Sequence, residues 1–301
     1  MIHIGLVGFG EAGYHISKDF PKDKVALYAY DAIATQDTPR AVKVREHAAE
    51  NGVTLVGSLR ELAEKGDYFF CFTSANAAVP LAQEMAGYLH KGQVYMDMNS
   101  TAPVTKEHMA SFFETSEGDF VEAAVMSSVP ANRTHVPICL GGSKAEETSA
   151  ALNALGMNTK AVGEKYGKAS AMKMLKSVLS KGMIALITET VFCTEHYDIT
   201  DYVLESVRKV MLEEMDYKTF CHYNVASAAI HNARFCQEME QVLETMDSIH
   251  ENAIMTQATL KKFQWLHEQG YADYFAERPT TYDEVLAVKH QIEAKNAQAA
   301  N

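Results

Sequence analysis

Three glycines near the amino terminus constrain this chain more than any other feature. Ile4, Leu6 and Val7 form a short apolar run suited to a buried parallel strand. Gly8, Gly10 and Gly13 follow at the spacing Gly-x-Gly-x-x-Gly, with Phe9, Glu11 and Ala12 between them. Each glycine has its own physical task in such a turn. Gly8 permits the tight exit from the strand, Gly10 lets backbone approach a pyrophosphate, and Gly13 lets the next helix pack closely. A helix starting near Glu11 would then aim its free N–H groups at the phosphates.

The context supports this reading. A helix over Glu11 to Asp19 and a second strand over Val25 to Tyr30 lead to Asp31, close to the distance expected for a ribose-binding acid. A carboxylate there accepts hydrogen bonds from the adenosine ribose hydroxyls and repels a 2′-phosphate. Neither Ala32 nor Ile33 offers a cation. The expected cofactor is therefore NAD, with NADP disfavoured.

Strand-like and helical stretches alternate up to about Val162. Val53 to Val56, Tyr68 to Phe72, Val94 to Met98, Phe120 to Met126, Val136 to Leu140 and Thr159 to Val162 read as further strands. The alternation predicts a parallel sheet with helices on both faces. Thr73 and Ser74 follow the Tyr68 to Phe72 strand, at the end where doubly wound sheets bind ligands.

The character changes near Gly163. Met172, Leu175, Leu179, Met183, Leu186, Thr190 and Cys193 share one broad stripe, which predicts a helix from about Lys168 to His196. Helices are expected near Asp201 to Met215, Val225 to Met246, Asn252 to Gln269 and Thr281 to Ala294, with a frayed tail over Lys295 to Asn301. The expected fold class is thus α/β. A Rossmann-type doubly wound domain over residues 1–163 is joined by a long bridging helix to an all-α domain over 164–301.

These stretches resemble the β-hydroxyacid dehydrogenase family, which includes 3-hydroxyisobutyrate and 6-phosphogluconate dehydrogenases. Besides the glycine turn, the resemblance rests on Asp97-Met98-Asn99-Ser100-Thr101-Ala102-Pro103, on Glu122-Ala123-Ala124-Val125-Met126-Ser127-Ser128, and on Gly163, Gly167 and Ala171-Met172-Lys173. Asn99, Ser127 and Ser128 stand where the family commonly has serine, glycine and glycine. Lys176 and Ser177 stand where it usually has asparagine. The run His231-Asn232-Ala233-Arg234 looks like the branch with a phosphogluconate-dehydrogenase-like last domain.

The resemblance implies an NAD(P)-dependent oxidoreductase acting on a small hydroxy acid or an aldonate-like sugar acid, with Lys173 as general acid and base. Removing a proton from an alcohol as hydride departs is the task of such a group, and it typically contributes ~10²–10⁴-fold. Burial, a helix N-terminus and the second cation at Lys176 would all lower its pKa. The plain alternative for Lys173 is a solvated lysine on a helix. Ser100, Ser127 and Ser128 would offer hydroxyls to a carboxylate or polyol, or simply form turns. Asn99 is expected against the nicotinamide ribose or the substrate. Lys176 either binds a substrate anion or faces solvent. Arg234 either grips a carboxylate or pairs with Glu238 four residues on. Other readings are an imine or opine-type reductase using NADPH, and a nucleotide-binding protein without catalysis.

Bulk properties narrow the partners. The formal charge of −12 argues against nucleic acid and anionic membranes. Twelve histidines show no His-x-x-x-His spacing, so no metal site is expected. The five cysteines form no Cys-x-x-Cys pair, the first strand leaves no room for a leader, and no apolar run approaches the length of a membrane span. The expectation is a cytoplasmic protein that forms a homodimer through its helical half.

Overall fold

The computed structural model describes residues 1–299. Strands and helices alternate through the first part of the chain: β1 (Ile2–Val7), α1 (Glu11–Ile16), β2 (Val25–Tyr30), α2 (Pro39–Asn51), β3 (Thr54–Leu55), α3 (Leu59–Ala63), β4 (Tyr68–Cys71) and α4 (Ala75–Ala86). Then come β5 (Val94–Asp97), α5 (Pro103–Ser111), β6 (Asp119–Val125), α6 (Val129–Asn132), β7 (Pro137–Gly141), α7 (Ala145–Asn153) and β8 (Asn158–Ala161). The remainder is helical: α8 (Lys168–Glu195), α9 (Thr200–Leu212), α10 (Tyr217–Ser248), α11 (Ile254–Glu268) and α12 (Tyr282–Ala299). The chain divides into two compact units, Met1–Val178 and Leu179–Asn301, with the division inside α8.

The first unit carries an eight-stranded sheet in the order β3-β2-β1-β4-β5-β6-β7-β8. Strand order reverses its sense between the parallel neighbours β1 and β4, which places a crevice beyond the carboxyl ends of these two strands. Both faces are covered, as a parallel sheet requires. Ile4, Leu6 and Phe70 pack into one apolar cluster, while Val7, Phe69 and Cys71 pack into another. The odd and even residues of β1 and β4 thus serve opposite layers.

Local signals end the elements where the sequence places them. Gly52, in the left-handed conformation at φ +70°, closes α2. Ser58 caps α3 by accepting from the N–H of Glu61 at 3.1 Å.

One pairing departs from the all-parallel expectation. β6 and β7 are antiparallel, with Glu122 opposite Gly141 and Val125 opposite Ile138. The link between them holds only the four-residue α6 and a 3-10 turn over Arg133–His135. That is too little for a crossover helix, so the chain turns back on itself. α12 extends through Lys295 to Ala299, past the expected end at Ala294. Ala300 and Asn301, part of the expected frayed tail, lie outside the described residues.

α8 departs from the expectation that no apolar run approaches the length of a membrane span. α8 contains an 18-residue window of mean hydropathy 1.2, enough by length and composition to cross a membrane. The apolar stripe by which this helix is predicted is largely uncovered. Leu175 is 68% exposed, and Leu179 and Leu186 are exposed as well, while the buried residues of α8 are Ala169 and Ser170 at its start. In the second unit a small core gathers Ala229, Leu266, Tyr271, Val285, Val288 and Ile292 from α10, α11, α12 and the turn between α11 and α12.

Candidate active site

A cavity of about 1080 Å³ opens at the crevice beyond β1 and β4. Its size is that of a large ligand site. Gly8, Gly10, Glu11 and Ala12 line one part of it, Asp31 and Arg40 another. Thr73 and Ser74 after β4, Asn99 and Ser100 after β5, Ser127 after β6, and Lys173 on α8 complete the wall.

The glycine turn shows three different constraints. Gly8 sits at φ +86°, and a Cβ there would collide with the carbonyl oxygen of Phe72. A Cβ at Gly13 would come within 3.0 Å of the Gly8 carbonyl oxygen, so α1 packs directly on the turn. A Cβ at Gly10 meets nothing within 4 Å. Gly10 therefore leaves space on the cavity side that a side chain would fill. Gly10 is also the N-cap of α1, with no side-chain cap among the described residues. Phe9 contributes to the turn through its backbone. Its ring is fully buried in the core, and its N–H donates to Asp31 Oδ2 at 2.8 Å.

Asp31 ends β2 with both carboxylate oxygens engaged, since Ile33 N–H donates to Oδ1 at 3.1 Å. Each oxygen keeps a further lone pair for a ribose hydroxyl. Arg40, in the first turn of α2, lines the same cavity and is exposed. Sequence inspection of the residues next to Asp31 misses this cation, because it arrives through the start of the following helix.

Asn99 is more committed than expected. Its Oδ1 accepts from Thr73 N–H at 2.7 Å, and its Nδ2 donates to Asp97 Oδ1 at 2.5 Å and to Cys71 Sγ at 3.3 Å. Both amide hydrogens are used, leaving only an acceptor lone pair toward the cavity. Asn99 thus ties the ends of β4 and β5 together. Beneath it lies a charge pair that the sequence did not announce. Lys106 of α5 and Asp97 are both fully buried, and the Lys106 Nζ donates to Asp97 Oδ2, to the Asp97 carbonyl at 2.7 Å and to the Asn99 carbonyl at 3.1 Å.

Lys173 is half-buried at the cavity wall. Burial lowers the pKa of its ammonium below the ordinary lysine value, the charge of Lys106 lowers it further, and Asp97 opposes both. The start of its helix is anchored by Glu122 of β6. That fully buried carboxylate accepts from the N–H of Gly167, of Ala169 at 2.5 Å and of Ser170 at 3.2 Å. Here the negative group meets the positive end of the helix, a charge-assisted N-cap from a neighbouring strand.

The other expected site residues separate. Both serines are exposed: Ser127 lines the cavity, while Ser128 stands at the start of the short α6, its carbonyl accepting from Asn132 Nδ2 at 2.8 Å. Lys176 is exposed and donates to the Met126 carbonyl at 3.1 Å. Arg234 lies on α10 in the second unit and pairs with Glu238 at 3.5 Å, the i,i+4 arrangement.

A glycine turn at a topological switch point, an acid ending β2 and a lysine on the facing wall define a dinucleotide-binding α/β protein of the doubly wound class. Residues 3–163 match the family model for the NAD binding domain of 6-phosphogluconate dehydrogenase, and residues 195–266 match a domain of unknown function, DUF1932. The chain belongs to the 6-phosphogluconate dehydrogenase NAD-binding family. It is 28% identical over 157 residues to mitochondrial 3-hydroxyisobutyrate dehydrogenase of Homo sapiens, a match covering 51% of this chain and 44% of that enzyme. A conserved hypothetical protein from Sinorhizobium meliloti 1021 is 34% identical, with a TM-score of 0.61 and 88% of each chain covered. An imine reductase from Myxococcus stipitatus in complex with NADP⁺ shares the fold at 17% identity and a TM-score of 0.65, covering 90% of this chain and 96% of that one. The chain therefore has an NAD(P)-binding, hydroxyacid-dehydrogenase-like fold.

Proposed function

We propose that this protein is an NAD-preferring dehydrogenase of a small hydroxy acid or aldonate-like sugar acid, with Lys173 carrying the proton. The observation that carries the reading is the half-buried Lys173 amine on the wall of the same cavity as Gly10 and Asp31. The open space at Gly10 fits a diphosphate against backbone, and the free lone pairs of Asp31 fit the adenosine ribose. A nicotinamide dinucleotide bound there supplies the hydride acceptor. The chain's own residues do the rest. The depressed pKa gives Lys173 a larger neutral fraction, so it can accept the alcohol proton. Ser100 and Ser127 present hydroxyls to a carboxylate or polyol.

Arg40 supports a second cofactor reading, because its guanidinium suits a 2′-phosphate that Asp31 would repel. The imine reductase from Myxococcus stipitatus, bound to NADP⁺, shares this fold, so an NADPH-dependent reductase is the competing proposal. The test screens hydroxy acids and aldonates for NADH formation, alongside imines with NADPH. Lys173→Ala is expected to abolish hydroxy-acid oxidation while NAD binding survives.

The exposed apolar surface of α8 and α9 supports a homodimer. A helix apolar on most sides is normally covered, yet Val178, Ile184, Ile187 and Phe192 are exposed, as are Tyr202 and Val207 on α9. We assign the cover to a second copy of this chain. The five cysteines are all free thiols, which supports a reducing, cytoplasmic setting.

A further inference from the structure

We propose that Lys106 is a positioning residue for Lys173: its buried ammonium locks the turn that carries Asn99 and stands as a fixed positive charge behind the cavity wall. The inference rests on the reading of Lys173 as the proton carrier and goes beyond it, because Lys106 does not line the cavity.

The geometry is specific. A fully buried lysine is expensive unless its donors are satisfied. Lys106 places its donors on Asp97 Oδ2, the Asp97 carbonyl and the Asn99 carbonyl. Asp97 spends its other oxygen on Asn99 Nδ2. The pair therefore holds both the backbone and the amide of Asn99, which in turn fixes Thr73 through its N–H. A purely structural turn could be held by an apolar residue, and replacing a buried pair by apolar groups is often neutral or stabilising. Here the buried pair holds a turn that lines the cavity, so its charge can act on the site.

The charged groups around Lys173 divide by element. Lys106 comes from α5 and Asp97 from β5, and they act on it with opposite signs, Lys106 the more strongly. Glu122 of β6 is spent on the N–H groups at the start of α8. Lys176, on the same helix, donates to the Met126 carbonyl. Burial is the larger cause of the lowered Lys173 pKa, and Lys106 is the charge that adds to it.

The test reads the protonation of Lys173 directly and needs no substrate. The full chain is labelled with acetic anhydride, which acylates neutral amines, across a pH series, and labelling of Lys173 is followed by peptide mass spectrometry. In the parent chain the midpoint should lie below 10.5, the ordinary lysine value. In Lys106→Met, Asp97 is left unopposed, and the midpoint should rise by about one unit, roughly a tenfold loss of neutral amine at lower pH. In Lys106→Met/Asp97→Asn both charges are gone while the acceptor for Asn99 remains. Its midpoint should fall between the other two. That order is the signature of charge, since a merely loosened site would shift the doubly substituted chain at least as far as the single one. If Lys106→Met does not fold, the neutral pair decides alone: a midpoint above the parent's supports the proposal. A midpoint equal to the parent's, or a double variant shifted as far as the single one, overturns it. Failure of the catalytic reading is distinguishable, because it shows as turnover by Lys173→Ala whatever the labelling order.

Discussion

The Phe9 N–H donates to Asp31 Oδ2 at 2.8 Å, so the acid that ends β2 is fastened to the glycine turn that follows β1. One carboxylate therefore shapes the turn and faces the cavity. Its two roles can be separated. Asp31→Asn keeps an oxygen for Phe9 but loses the charge that would repel a 2′-phosphate. We expect parent protein to bind NADH more tightly than NADPH, and Asp31→Asn to narrow that gap. Arg40→Ala should weaken NADPH roughly tenfold, the scale of one charge-assisted hydrogen bond, and leave NADH nearly unchanged. Fluorescence titration of both cofactors measures each effect.

Two glycines of the same turn should fail in different ways. Gly8→Ala forces a side chain into the left-handed region and against the Phe72 carbonyl, so it should lower stability by about 2 kcal/mol or more. Gly10→Ala places its methyl in open space on the cavity side. It should melt like the parent and bind NADH more weakly. Thermal melts read beside cofactor titrations distinguish these outcomes.

Glu122→Gln keeps a hydrogen-bond acceptor at the start of α8 but removes the charge facing the helix dipole. A loss of ~2 kcal/mol is expected in denaturant unfolding. Turnover should fall beyond what stability explains, because Lys173 rides on the same helix.

Alcohol oxidation should follow the depressed Lys173 pKa. The neutral amine is the active form, so kcat/KM should rise with pH and level off above a midpoint lower than 10.5. The reverse reduction needs the ammonium and should fall over the same range. A profile that keeps climbing past 10.5 would contradict this.

Ile187→Glu puts a charge on the exposed apolar surface of α8. Sedimentation should show the parent as a dimer and the variant shifted toward monomer. A parent that sediments as a monomer, or that is recovered only with detergent or lipid, would count against a second copy as the cover.

The parts of this molecule that could be read from the sequence are those governed by short-range spacing. Gly8, Gly10, Gly13 and Asp31 carry their constraints within one strand-turn-helix unit, and the position of Lys173 follows from motif order. What escaped detection depends on long-range packing. Lys106 lies among Thr105, Glu107 and His108 in a mixed polar stretch, and nothing local says that its ammonium is buried on Asp97. Arg40 reaches the cavity only because α2 starts beside Asp31. The antiparallel turn of β7 is set by the short link after β6, which strand propensity does not report. Apolar periodicity in α8 marked a face to be covered but not what covers it.

Lys173→Ala, measured for NADH binding and for NADH formation across a panel of hydroxy acids and aldonates, tests Lys173 as the proton carrier. Cofactor affinity should stay within about twofold of the parent, and turnover should fall by ~10²-fold or more on any substrate the parent oxidises. Parent-like turnover in that variant would contradict that role.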